Sequence, residues 1–212
     1  TRTRGSDRPS QGVFTELGEG FSAVKVNPLL LQLILAAIMA YAMTGPMQIL
    51  LPKLAREVLG LTELQRGGYL GLMALTLIGG GVSALLGGRY LHHGAAIFAG
   101  TIVASLLFAS LSYWSEAPAS VAALGGMGLL GGMVISFVIA GIQGQAPEAL
   151  RGRILSIYSI ISQVIPAASG VAAGALVRAT GVTRAIWMAG LGLAALALLG
   201  AILMPQLRRV AR

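Results

Sequence analysis

The chain contains no cysteine, so it can form neither a disulfide nor a thiolate metal site. Charge is scarce as well: Asp, Glu, Lys and Arg make up 10% of the residues, against 56% hydrophobic ones. A soluble domain carries about 25% charge. So few polar groups cannot coat a water-exposed surface, and lipid must be the solvent. Acidic residues number only 7 against 15 basic ones. The net charge of +8 is not read as a nucleic-acid footprint. The basic residues fall in loops and tails, where membrane topology places them. Thr1–Gln11 is polar and basic with no apolar core, which excludes a secretory signal peptide. It is expected to be a flexible linker, cut from within a longer protein.

Long uncharged apolar runs are plentiful. Residues 1–28 read as a cytoplasmic linker and a short amphipathic segment, with Phe14, Leu17, Phe21 and Val24 on one face. Six runs then follow, at 29–51, 67–88, 95–113, 120–142, 154–177 and 185–204, each long enough to cross the roughly 30 Å hydrocarbon core. Residues 205–212 form a basic tail. The expected fold class is therefore all-α, a bundle of six transmembrane helices. No run contains Asp, Glu, Lys, Arg or His, so none carries the usual mark of an in-membrane proton relay.

Sidedness follows from the charged island Gln145-Ala-Pro-Glu-Ala-Leu-Arg-Gly-Arg153. Pro147 fits the first turn of a helix, Glu148 suits its positive end, and Arg151 and Arg153 mark a cytoplasmic loop. Counting outward from there, ten of the fifteen Lys and Arg residues fall on the same side and five on the other. Both termini are then cytoplasmic, in the inner membrane of a cell.

Local signals place helix ends and contact faces. Asn27-Pro28 precedes the first run, Thr62 and Gln65 form a capping box, Gly60 and Gly181 suit helix ends, and Thr183 suits the cap of the last run. The 30 glycines let backbones approach closely. Gly80, Ala84 and Gly88 make one such ridge; Gly128 and Gly132 make another; Ser169, Ala173 and Gly170, Gly174 make a third. Polar residues inside the runs are the candidate substrate-binding groups: Tyr41, Thr44 and Gln48 in the first, and Tyr158, Ser162 and Gln163 in the fifth. The same spacing would equally serve bonds to neighbouring helices. His92-His93 has no acid or cysteine nearby and reads as a loop at the membrane surface, not a metal pair.

Three stretches carry a resemblance: Gly20-Phe-Ser-Ala-Val-Lys-Val-Asn-Pro28, Leu51-Pro-Lys-Leu-Ala-Arg-Glu-Val-Leu-Gly60 and Pro147-Glu-Ala-Leu-Arg-Gly-Arg-Ile-Leu-Ser-Ile-Tyr158. In order and spacing they resemble the C-terminal half of major facilitator superfamily exporters, closest to the drug and siderophore exporters of the enterobactin-exporter type. The resemblance implies two inverted three-helix repeats, making half of a twelve-helix secondary transporter. It implies a partner, the N-terminal six-helix half absent from this chain. It further implies export of a small, amphipathic molecule by alternating access, with the lipid bilayer as surroundings. Neither a cofactor nor a metal is implied, and no catalysis. Arg151, Arg153 and Glu148 become candidate gating residues at the inner closure. The family's inner-loop motif departs here: in Gly87-Gly-Arg-Tyr-Leu-His-His-Gly94 the glycines align, but Leu91 replaces the acid and His92 the base.

Other classes fit less well. An intramembrane protease needs a Gly-x-Ser-Gly nucleophile, and Ala167-Ala-Ser-Gly170 lacks the first glycine. A water or glycerol channel needs two Asn-Pro-Ala tips, whereas Asn27-Pro28 is followed by Leu29. A stand-alone six-helix protein, acting as a homodimeric transporter or channel, is the remaining alternative.

Overall fold

The computed structural model describes residues 22, 24–87, 93–114 and 117–208. Phe14, Leu17, Phe21, Gly88, Arg89, Leu91 and His92 lie outside the described residues. The described chain is helical, with no strand: α1 Pro28–Lys53, α2 Glu63–Gly87, α3 His93–Ser110, α4 Ala117–Gln145, α5 Arg151–Thr180, α6 Val182–Leu203 and the single turn α7 Pro205–Arg208. Among the described residues, six helices, α1 to α6, are long and apolar enough to cross a membrane.

Local chemistry sets the ends. The Asn27 side chain accepts hydrogen bonds from the Leu29 and Leu30 N–H groups at 3.1 and 3.2 Å. Pro28, next in line, has no N–H to satisfy. The Thr62 N–H donates to Gln65 Oε1 at 2.9 Å, and the Gln65 N–H donates back to Thr62 Oγ1 at 3.4 Å, a closed capping box. α1 continues through Pro46 and Pro52 and ends in a π-helical turn, Leu54–Val58. Gly60 follows with φ of +61°, a left-handed conformation that glycine adopts without strain. At Gly181, φ is +81° and ψ 168°, which separates α5 from α6 so tightly that Val182 already begins α6. Thr183 therefore lies inside the helix and is not its cap. Pro147 likewise departs from expectation. Its ψ of 138° is extended, and it precedes a short 3-10 turn, Glu148–Leu150, before α5 starts at Arg151.

In lipid, helices gain nothing by hiding apolar faces from one another, so close backbone contact must hold them. Two such contacts are equivalent. A Cβ added at Gly132 of α4 would strike the Leu77 carbonyl and the Gly81 amide of α2. A Cβ added at Gly45 of α1 would strike the Pro166 carbonyl and the Gly170 amide of α5. In both cases a glycine on the first helix of one triplet sits over a carbonyl and the amide four residues later on the second helix of the other triplet. Both pairs run parallel, since Tyr69 meets Ser120 while Gly81 lies by Ser136, and Tyr41 meets Tyr158 while Ile49 lies by Gly170. The third helices pair antiparallel, with Gly190 against Ala109 and Gly200 near Phe98. This is the packing of two inverted triplets, α1–α3 and α4–α6.

The start of α1 and the turn α7 lie at one end of the bundle, where the Leu207 N–H donates to Gln32 Oε1 at 2.7 Å. That tail end also holds the starts of α3 and α5. The opposite end holds Gly60, Gly181 and the start of α2. The apolar core is divided between them, one cluster around Phe98, Phe137 and Ile154 and another around Phe108, Leu124 and Ile186. Leu75, Ile78, Leu85, Leu198 and Ile202 are exposed on the outside, as lipid contact requires.

Gly45→Leu and Gly132→Leu are each expected to force a backbone apart, at a cost of about 1–3 kcal/mol. Both should lower the unfolding midpoint in detergent by roughly 3–10 °C. Gly67→Leu, with nothing within 4 Å of its Cβ position, should not. Equal effects at all three sites would contradict the glycine crossings.

Candidate functional site

α5 is the least buried of the spanning helices. Ser156, Ser159, Gln163, Ala167, Gly170, Gly174 and Arg178 recur along it at steps of three and four, which places them on one line. All are exposed except Gly170, which is buried under Gly45, and half-buried Gly174. The line is polar towards the tail end, small in the middle and cationic at the far end. Beside it, Ile160, Val164, Ala168 and Ala175 form an ordinary apolar face.

α1 forms the opposite wall. Where Gly45 meets α5 the two backbones touch, and between the helices an open groove of about 370 Å³ runs along Gln48, Ile49, Ala167, Val171, Gly174 and Arg178. Nothing lies within 4 Å of a Cβ position at Gly174, so the groove is empty there by virtue of a missing side chain. The Arg178 guanidinium has no hydrogen bond or ion pair among the described residues.

Towards the tail end the groove gives way to a tyrosine pair. Tyr41 of α1 and Tyr158 of α5 share a hydroxyl–hydroxyl hydrogen bond of 2.6 Å. Their rings meet edge to face, with centroids 5.7 Å apart and planes at 64°. Such a pair leaves one hydroxyl proton and several lone pairs for a further partner. A second bond of the same length joins Tyr69 of α2 to Ser120 of α4, in the other parallel pair, but it is buried.

The polar residues of the first run therefore divide. Tyr41 is in the pair and Gln48 is on the groove, but Thr44 faces a separate cavity. That cavity, about 50 Å³, is enclosed by α1 to α4 and lined by Met43, Met47, Met73 and Met127, with Thr101 as its other hydroxyl. The Thr101 hydroxyl is already given to the Ile97 carbonyl at 2.7 Å. In α5, Tyr158 and Gln163 are accessible, whereas the Ser162 hydroxyl donates to the Ser159 carbonyl at 2.8 Å.

The charged island sits apart from the groove, at the tail end. Arg151 and Glu148 are exposed and Arg153 half-buried. No ion pair joins Glu148 to Arg151 among the described residues, because Glu148 lies in the 3-10 turn and Arg151 opens the α-helix. His93 stacks on Phe137, with centroids 4.8 Å apart, and no cluster of metal-ligating residues exists among the described ones.

Arg178 is the residue that sequence reasoning missed. The uncharged run was ended at Val177, yet α5 continues to Thr180 and carries Arg178 onto the groove. The signal was the helical spacing from Gln163 through Ala167, Val171 and Gly174.

The tyrosine pair is testable as a coupled unit. Tyr41→Phe and Tyr158→Phe should each cost about 1 kcal/mol of unfolding free energy in detergent. The double substitution should cost no more than either alone. Additive losses would show that the hydroxyls do not depend on each other.

Comparison with known proteins agrees with this architecture. No curated protein matches the chain. A family model described as Major Facilitator Superfamily matches residues 2–170, from before α1 into α5. The match covers both glycine crossings and most of the α1–α5 wall. With six membrane-spanning helices in two inverted triplets, this chain belongs to the Major Facilitator Superfamily.

Proposed function

We propose that this chain is the C-terminal six-helix half of an exporter of the enterobactin-exporter type, moving a small amphipathic molecule by alternating access. The α5 line and the groove it makes with α1 carry this reading. Hydroxyl and amide groups set on one exposed line are of little use against lipid, but they suit a wetted path. Gly45, Gly170 and Gly174 keep the wall low enough for a solute to lie against it. Tyr41, Gln48, Tyr158 and Gln163 are its hydrogen-bonding groups. Thr44 and Ser162, the other two candidates, face the methionine-lined cavity and the helix's own carbonyl.

In this reading the tail end is cytoplasmic, since ten of the fifteen Lys and Arg residues fall on that side. An N-terminal six-helix half faces the groove and completes the path. Rocking of the halves opens it to one side at a time. Arg151, Arg153 and Glu148, at the wet edge of the inner end, make contacts in one state that are broken in the other.

In the full-length protein, Tyr41→Ala with Gln48→Ala should cut export by about tenfold or more, with membrane level and topology unchanged. Drug accumulation in an efflux-deficient bacterial host is a direct readout. Export at the wild-type rate from the double variant would reduce this wall to helix packing.

A further inference from the structure

We infer that the α1–α5 groove takes an amphipathic monoanion, its carboxylate seated on Arg178 and its apolar body lying along Ile49, Ala167, Val171 and Gly174. This deepens the export reading and rests on it, by naming the class of solute.

Among the described residues, Arg178 is the sole ionisable side chain lining the groove, and no acid lines it. At the same end of the bundle, Lys53 is within 3.7 Å of Glu57 and Arg66 within 3.6 Å of Glu63. Arg56, Arg178 and Arg184 have no such partner among the described residues, and of these three Arg178 alone lines the groove. Its position in the last turn of α5 favours a cation there by the helix dipole, and its exposed guanidinium is open to a ligand. A guanidinium presents a planar fork of N–H groups, which matches a carboxylate in two parallel hydrogen bonds. One cation at the end of an otherwise uncharged groove is matched by one negative charge on the solute.

The shape supplies the rest of the ligand. From Pro166 to Arg178 the groove follows α5 for roughly 18 Å at the helical rise of 1.5 Å per residue. Its floor is apolar and low in bulk, so a chain or flat ring system lies along it without displacing side chains. The volume of about 370 Å³ is within the range of small-ligand sites. Gln48, partway along, offers one amide to a carbonyl or hydroxyl on the body. A cationic solute would be repelled by Arg178, and a neutral one would gain no charge-assisted contact from it.

The test uses the full-length protein in neutral-detergent micelles with a photoactivatable diazirine derivative of hexadecanoic acid, at pH 8, and the matching primary amide as the uncharged probe. Labelled peptides from α1 and α5 are quantified by mass spectrometry. The acid should label these peptides about tenfold more than the amide does, as expected for one charge-assisted bidentate contact. Arg178→Gln should bring the acid down to the level of the amide, and Arg178→Lys should restore part of the difference. Arg184→Gln, a nearby exposed cation away from the groove, should change nothing. Gly174→Phe should reduce labelling by both probes; its Cβ position is open, so the fold should be kept, as the unfolding midpoint will confirm. Equal labelling by acid and amide in the wild type, or an unchanged preference in Arg178→Gln, overturns the proposal. So does displacement of the acid by phosphatidylglycerol as effectively as by unlabelled hexadecanoic acid, which would make a lipid headgroup the occupant. A groove without acid preference, in a protein whose Tyr41→Ala with Gln48→Ala variant still loses export, would leave the export reading standing.

Discussion

The contact of Gly45 with the backbone of α5, and of Gly132 with the backbone of α2, is the constraint on which the rest of the structure depends. A bilayer removes the hydrophobic drive between helices and leaves packing and polar bonds to hold them. Each glycine lets two parallel helices touch at the backbone, and each touches an equivalent carbonyl and amide. That equivalence relates the two triplets by inversion. It also fixes α5 so that one line of polar and small residues stays open beside α1. The groove lies beside that crossing and stays open past Gln48, where Gly174 has no side chain to fill it.

How much of this was legible in the sequence depended on range. Long apolar runs without charge announced the six crossing helices, because the requirement is simple length in hydrocarbon. The Thr62–Gln65 box was legible because both partners lie within three residues, whereas Asn27-Pro28 was legible as a break before the first run and its cap bonds were not read. Glycine ridges were legible as ridges, but their partners were not. Gly128 and Gly132 press on α2, while Gly174, with the same spacing, faces open space. Thr44 shared a periodic stripe with Tyr41 and Gln48, yet α1 touches several helices, and a shift around its axis changes the neighbour. Arg178 was hidden because hydropathy stops at the first charge, whereas backbone hydrogen bonding carried α5 on to Thr180.

Membership of the Major Facilitator Superfamily and the inverted triplets together make a membrane transporter of this chain. The proposed export route then divides labour along α5: an inner charged end for closure, a hydroxyl and amide section by the tyrosine pair, a low-walled section opposite Gly45, and a cation at the outer mouth. None of the six uncharged runs contains a carboxylate or histidine. Any ion coupling through this half would therefore act at helix ends or through hydroxyls.

The central claim is that the α5 line is wetted while its neighbouring flank is not. These 212 residues contain no cysteine, so a single cysteine placed among them is the one thiol they contribute. Cysteines placed at Ser159, Gln163 and Gly174, and at Ala168 on the adjacent flank, would be treated with a membrane-impermeant maleimide in the full-length protein in membranes. The account predicts labelling at the three line positions, responsive to added substrate, and none at Ala168. Labelling at Ala168 as fast as at Gln163, or at none of the four, would contradict it.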